Sequence, residues 1–139
     1  MNKLVLIVSF LLGFGCIAKG DTIDYWHVFY NKQKIKEYNQ YSNGLIQLEI
    51  SEIRTTDTML IYYFQDAPCN FCENMLIIED GEQNQIFYTP LNNYPAAIPL
   101  KVLLNSMPSK SNGDFSFFYR KDPTKYPLSK NLLFRVKIH

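Results

Sequence analysis

The sequence has little charge, little glycine and no clustered basic surface. Charged residues make up 19% of the 139 residues, and 14 basic against 13 acidic side chains leave a net charge of +1. Nucleic-acid binding requires clustered positive charge, so this balance excludes it as an expected function. The chain has only 6 glycines, which excludes collagen-like and linker-like sequences.

The common signatures of catalysis and metal binding are also missing. No G-x-S-x-G, H-E-x-x-H, G-x-x-x-x-G-K or calcium-loop pattern occurs. The chain has 2 histidines: His27 falls within an aromatic strand pattern, and His139 is the final residue. We therefore expect a protein that is not an enzyme, with no catalytic residues, no metal site and no cofactor.

Residues 1–20 have the layout of a secretory signal peptide. Lys3 provides a positive start, an apolar run covers residues 4–12, small residues follow, and no acidic residue occurs before residue 21. Cleavage is expected after Ala18 or Gly20. The apolar run is shorter than the ~20 residues of a membrane-spanning helix, so we expect no stable membrane span in the mature chain.

The predicted leader places the mature protein outside the cytoplasm, either periplasmic or secreted. An alternative is a lipoprotein signal, in which Cys16 becomes the acylated residue. Under either interpretation Cys16 is lost from the folded domain or modified. Two of the chain's 3 cysteines, Cys69 and Cys72, therefore remain as thiols of the domain.

Residues 21–139 are dominated by the alternation of apolar and polar residues that is typical of β-strands. Turn residues separate most of these runs, and no convincing amphipathic helix lies between them. We therefore predict one all-β domain over residues 21–139, an antiparallel two-sheet sandwich of about eight strands, immunoglobulin-like or jelly-roll-like. The strand patterns fall at residues 24–30, 35–38, 45–50, 59–64, 75–78, 85–88, 98–104, 115–119 and 132–138.

The Cys69-Asn70-Phe71-Cys72 sequence is the one motif with evident chemistry. In an oxidising compartment two remaining cysteines three residues apart are expected to form a disulfide. The closed loop is so short that the loop-entropy relation gives about 2 kcal/mol at most. We therefore predict a structural Cys69–Cys72 disulfide at a loop tip.

Residues 59–72 resemble the strand that leads into C-x-x-C in the thioredoxin family, and Ile98-Pro99-Leu100 is similar to that family's Ile-cis-Pro segment. The resemblance covers about 17 residues and implies a thiol-redox site. The chain departs from the family because only 26 residues separate Cys72 from Pro99, too few for a helix, a strand and a second helix. Zinc binding through the same C-x-x-C spacing is a further alternative.

The chain has 10 Phe, 10 Tyr and 1 Trp, more rings than a small two-sheet core readily holds. Most are expected to pack in the core. The alternative is an exposed ring platform, with Tyr25, Trp26 and His27 at its edge, for a carbohydrate, peptide or protein partner. This alternative predicts that Trp26 is partly exposed.

Together these patterns favour an exported, non-catalytic binding module of β-sandwich architecture. The alternative is a small extracytoplasmic thiol-disulfide or metal-handling protein centred on Cys69 and Cys72. A disulfide that resists mild glutathione supports the first function, and a readily cycling dithiol or a bound metal supports the second.

Overall fold

The computed structural model describes residues 23–66, 71–91, 95–107, 112–127 and 129–139. Within these residues the chain forms strands in two sheets, one α-helix and a short 3₁₀ turn. The elements are β1 (Tyr25–Tyr30), β2 (Gln33–Asn39), β3 (Leu45–Leu48), a 3₁₀ turn (Ile50–Glu52), β4 (Thr58–Phe64), β5 (Met75–Glu79), β6 (Gln85–Pro90), β7 (Ala96–Pro99), α1 (Leu100–Ser106), β8 (Gly113–Arg120) and β9 (Asn131–Ile138).

The strands are divided between a four-stranded sheet, ordered β2-β1-β4-β7, and a five-stranded sheet, ordered β3-β9-β8-β5-β6. The prediction of an all-β sandwich is confirmed. The prediction that it is antiparallel throughout is wrong, because β3 runs parallel to β9, with Leu45 opposite Arg135 and Leu48 opposite Ile138. Side-chain alternation determines which face of a strand is buried but not the direction in which its neighbour runs.

The core lies between the two sheets and contains side chains from both. Phe117 and Phe134 of the five-stranded sheet are fully buried and stack with a centroid separation of 4.6 Å. Tyr38 of β2 stacks on Phe134 at 5.7 Å, and Tyr63 of β4 stacks on Tyr119 at 4.6 Å. These contacts join the sheets across the sandwich, so one hydrophobic cluster supports both.

Strand β9 supplies much of this core. Phe134, Val136 and Ile138 are buried, as the alternation predicts. At the start of the strand Leu133 is buried and Leu132 is only partly so, the reverse of the prediction. The ladder between β8 and β9 has a register shift at this point, and such a bulge transfers one residue to the other face.

The segment predicted as a strand over residues 98–104 is a strand only to Pro99, and it continues as helix α1. Pro99 has φ −64° and precedes the first helical residue, a position where its fixed φ and missing N–H do little harm. Leu100 and Leu103 then lie one turn apart and are both buried. No helix in the described part of the chain is long and apolar enough to cross a membrane.

Two hairpin loops set the register of their strands. Asn31 and Lys32 join β1 to β2 with φ values of 44° and 72°, the two positive φ angles that a tight two-residue hairpin requires. The loop after Glu79, with Asp80 and Gly81, joins β5 to β6 as a longer hairpin.

Candidate functional site

The candidate site is the outer surface of the four-stranded sheet, on the side away from the core. Alternation along β1 and β4 places one set of side chains in the core and the other set outside. The outward set contains Thr58 and Leu60 of β4 and five ring-bearing residues, which we call the aromatic face. These five are Tyr25, His27 and Phe29 of β1 with Tyr62 and Phe64 of β4.

Register brings these rings together in two groups. Tyr25 lies directly opposite Phe64, and their rings stack at 4.6 Å with an interplanar angle of 13°. His27 packs at a tilt against both, at 5.4 Å from Tyr25 and 5.2 Å from Phe64. Phe29 and Tyr62 form the second group at 5.1 Å. Because sheet pairing fixes these contacts, the rings are held in place before any ligand arrives.

The rings of the aromatic face remain open to solvent. Tyr25 is 38% exposed, Tyr62 36% and Phe64 38%. Within the described residues, no lysine lies over any ring of this face; the cation–π contacts found there involve Phe118 and Tyr126 instead. Contiguous exposed apolar surface on a small protein commonly marks a place where something binds.

The prediction that Trp26 is partly exposed is wrong. Its side chain is 2% exposed and points into the core, where it packs on Tyr63 at 6.0 Å. Successive residues of a strand point to opposite faces, so Trp26 cannot share a surface with Tyr25 and His27. A platform that includes Trp26 is therefore excluded, and a ligand-binding role for Tyr25 and His27 stays a prediction.

A polar pair borders the rings on the β2 side. Glu37 lies opposite His27 in the register, and its carboxylate is 3.2 Å from His27 Nε2. Lys34 Nζ donates to the same carboxylate at 2.5 Å. This hydrogen bond and the charge of Lys34 hold the pKa of the Glu37 carboxyl below its usual value. The Lys34–Glu37 ion pair adds hydrogen-bonding atoms beside the rings but almost no net charge.

Asp24 stabilises the end of the four-stranded sheet that carries Tyr25 and Phe64. Its carboxylate accepts a hydrogen bond of 2.7 Å from Tyr63 Oη and one of 2.9 Å from the backbone N–H of Asp66. Burial, reinforced by the bond to Asp24, raises the pKa of the Tyr63 hydroxyl, so Tyr63 stays protonated. Asp24 thus ties the start of β1 to the segment that follows Phe64.

The cysteine motif lies partly outside the described residues, because Cys69 is not among them. The Cys69–Cys72 disulfide therefore stays a prediction. The signal peptide over residues 1–20 and the acylation of Cys16 likewise concern residues that are not described.

The resemblance to the thioredoxin family does not extend to the fold around Cys72. Strand β5 begins at Met75, where that family has a helix. Pro99 pairs with Thr58 at the start of β4, whereas Cys72 follows the other end of that strand. Seven strand residues span roughly 20 Å, so Pro99 is too distant to face Cys72.

The two histidines each contact a glutamate rather than other metal-ligand residues. His139 Nε2 lies 2.9 Å from Glu49, as His27 lies beside Glu37. No group of three or more His, Cys, Asp or Glu side chains in the described ranges is arranged to hold a metal ion. The histidines therefore act as hydrogen-bonding side chains of the surface.

A cavity of about 220 Å³ lies away from the aromatic face, where the β5–β6 loop meets the start of β8. Asp80, Glu82, Asp114 and Ser106 are among its lining residues. Asp80 is already bonded to the backbone N–H groups of Glu82 and of Asn84, and these bonds hold the loop together. Asp80, one of the acidic lining residues, is thus accounted for by loop structure.

Sequence reasoning missed Tyr62, Phe64 and Glu37 as members of the site. The signal available for the rings was the alternation itself, since Tyr62 and Phe64 share one face of their strand. Nothing in the sequence gives the register that places them beside Tyr25. Comparison of the chain with protein-family models, curated proteins and solved structures gives no match. Its function is therefore argued from the chemistry of the aromatic face.

Proposed function

We propose that this protein is an exported, non-catalytic binding module that holds its ligand on the aromatic face. The observation that carries the proposal is the set of five rings on the outer side of the four-stranded sheet, packed in two groups, of which Tyr25, Tyr62 and Phe64 are exposed. Rigid aromatic side chains offer large contact area at a small entropy cost, which favours their use in recognition.

We infer that the sandwich is immunoglobulin-like rather than jelly-roll-like. The neighbouring strands β9-β8-β5-β6 follow the G-F-C-C′ order of the variable-type immunoglobulin sheet, and β1-β4-β7 follow its A-B-E order. Strand β2 takes an additional place at the edge beside β1. This fold presents sheet faces and end loops as binding surfaces, although fold alone specifies no ligand.

We propose that export and the disulfide contribute to the same function. The leader-like residues 1–20 direct the chain to an oxidising compartment, in which Cys69 and Cys72 pair. The segment that carries them continues from Phe64, and Asp24 fastens its start. Thiol counting on the purified protein, before and after reduction, tests the pairing; two free thiols in the unreduced protein would contradict it.

The binding proposal is tested with a double variant of the aromatic face, Tyr25→Ala with Phe64→Ala, and a control, Leu45→Ala with Tyr88→Ala. The control removes two exposed apolar side chains of the five-stranded sheet, Leu45 at 48% and Tyr88 at 63% exposure. Both proteins are measured by biolayer interferometry against immobilised neutral polysaccharides, acidic polysaccharides and peptides.

The expected result is that at least one probe class loses about tenfold or more in affinity with the face variant alone. Circular dichroism and thermal melting establish that both variants are folded. If no probe class distinguishes the face variant from the control, the aromatic face does not bind a ligand of these classes and the proposal fails.

A further inference from the structure

We propose that the ligand of the aromatic face is an uncharged linear oligosaccharide. This inference rests on the proposed binding function and specifies its ligand class. It is drawn from three features of the face: exposed rings beyond the β4–β7 pairing, an ion pair between Lys34 and Glu37 at its β2 side, and the small area of exposed ring.

Tyr62 and Phe64 are exposed, and among the described residues no strand pairs with β4 beside them on the side away from β1. Strand β7 pairs with β4 only from Thr58 to Ile61, so Tyr62 and Phe64 lie beyond the end of that pairing. One face of Phe64 stacks on Tyr25, and the other points away from it. The apolar C–H face of a sugar ring packs against an aromatic face of this kind.

A linear chain of sugars suits the spacing of the rings. Phe64 and Tyr62 are two residues apart on one strand, which separates them by roughly 7 Å along its axis. Successive rings of a linear glycan are spaced on the same scale. One sugar ring can therefore lie against Phe64 while the next lies across Tyr62.

The charge on the face favours an uncharged ligand. Among the residues that strand register places on this surface, Lys34 and Glu37 carry the charge, and they pair with each other. An acidic polymer would require an excess of positive charge, and a basic peptide an excess of negative charge. Neither excess is present in the paired strands; beyond them the exposed Asp66 adds one negative charge two residues after Phe64.

The polar atoms on the face match the hydroxyl groups of a sugar. The Tyr25 and Tyr62 hydroxyls form no hydrogen bond with other described residues, and both can donate and accept. The Glu37 carboxylate adds acceptor capacity at the β2 side. Rings mixed with hydroxyl and carboxylate groups suit a ligand with apolar faces and polar edges.

The area is small for a protein partner. Rings of this kind bury about 150–250 Å² when fully covered, so the 36–38% exposure of Tyr25, Tyr62 and Phe64 corresponds to roughly 55–95 Å² each. A standard protein interface covers about 800 Å² on each partner. The three exposed rings by themselves supply a small part of such an area, and this part is enough for contact with a short stretch of sugar.

Affinity electrophoresis of the purified full chain tests the ligand class. Native gels contain mixed-linkage β-glucan, galactomannan or xylan as neutral probes, and alginate or heparin as acidic probes. A neutral polysaccharide is expected to retard the wild-type protein, and Phe64→Ala is expected to weaken that binding about tenfold or more. Phe64→Tyr, which keeps the ring, and Tyr88→Ala, which removes a distant ring, are expected to bind as the wild type does.

Salt gives an independent readout. Raising the salt to about 1 M, where the Debye length is about 3 Å, should leave binding of the neutral polysaccharide unchanged. Retardation by alginate or heparin alone, or peptide binding that is lost in Phe64→Ala, contradicts the assignment of an uncharged oligosaccharide but still supports a binding function. If no probe, peptides included, distinguishes Phe64→Ala from Tyr88→Ala, both proposals fail.

Discussion

Both sheets carry aromatic rings on their outer faces, but the side chains around those rings differ. On the five-stranded sheet Phe118 points outward, and Lys130 lies over its ring with Nζ 4.1 Å from the centroid. Lys130 is held there by an ion pair with Glu79. On the four-stranded sheet Tyr25 and Phe64 stack on each other with no such cover from the described residues.

This difference indicates that the rings of the aromatic face are not exposed merely because the protein has more rings than its core can hold. A lysine side chain can cover a ring with its methylene groups while its ammonium stays in water. This chain uses that arrangement at Phe118 and again at Tyr126, where Lys121 and Lys125 approach the ring. On the four-stranded sheet Lys34, which lies opposite Phe29 in the register, is directed to Glu37 instead.

The largest expected loss of stability comes from a substitution in the core that the two sheets share. Phe134→Ala should lower the free energy of unfolding by about 3–5 kcal/mol, because the ring is fully buried and packs on Phe117 and on Tyr38 of the other sheet. Chemical denaturation followed by circular dichroism and by Trp26 fluorescence measures the loss. Both signals should change in one transition, and separate transitions would mean that the faces belong to independently stable sheets.

A second prediction concerns only the end of the four-stranded sheet that carries Tyr25 and Phe64. Asp24→Ala removes the acceptor of Tyr63 Oη and of the Asp66 N–H, and should destabilise the protein by about 1.5–3 kcal/mol. Asp114→Ala, which removes an exposed carboxylate on the other sheet, should stay within about 0.5 kcal/mol of the wild type. Equal stability of the two variants would show that Asp24 does not fasten this end of the sheet.

A third prediction addresses the opposite end of the same sheet through pH. The hydrogen bond from Tyr30, with one from the backbone N–H of Arg54, holds the pKa of Asp57 below its usual value. Burial, together with the bond to Asp57, raises the pKa of Tyr30 to about 12. Asp57 therefore stabilises the fold above its ordinary pKa, and this contribution is lost as pH falls through the lowered value. Tyr30 stabilises it below about pH 10, and this contribution is lost as pH rises towards about 12.

Melting temperatures measured from acid to alkali test this assignment with Tyr30→Phe. The variant should lose about 1 kcal/mol at neutral pH, because a hydrogen bond to Asp57 is gone. It should also show a smaller decline above pH 10 than the wild type; part of the decline remains because burial raises the pKa of Tyr119 to about 12. Identical alkaline profiles for the variant and the wild type would exclude Tyr30 as a contributor.

The smallest expected effect is the removal of the lysine cover. Lys130→Ala should cost about 0.5–1 kcal/mol and increase binding of a hydrophobic dye, since Phe118 becomes open. Lys101→Ala, an exposed lysine on α1, is the control and should change neither property. No change in dye binding for Lys130→Ala would mean that lysine does not shield the ring, and the contrast between the two faces would lose its basis.

Much of the sandwich follows from alternation within single strands. The buried positions Phe134, Val136 and Ile138 of β9 and the inward rings Phe117 and Tyr119 could be predicted because each depends only on period two. Helix α1 could not, because a short apolar run after a proline fits a strand and a helix equally well. The parallel pairing of β3 with β9 depends on contacts about 90 residues apart, which alternation does not encode.

The candidate site was predicted only in part, for a related reason. Choosing Tyr25, Trp26 and His27 as neighbours followed their order in the chain, whereas a strand separates neighbours onto opposite faces. The partners of Tyr25 and His27 lie on another strand, and Phe64 comes beside them only through β1–β4 register. A surface assembled across strands depends on long-range pairing that a single sequence does not reveal.

The parallel ladder between β3 and β9 also has a kinetic consequence. The β1–β2 hairpin closes over two residues, Asn31 and Lys32, and needs no other part of the chain. The ladder must bring together segments near opposite ends of the sequence, and β9 first needs β8 beside it. We therefore expect Leu45–Leu48 to join the sheet late in folding, so that in pulsed hydrogen exchange its amides gain protection after those of the hairpin. An unfinished molecule would expose the edge of β9, and a second chain arriving before β3 docks could pair there.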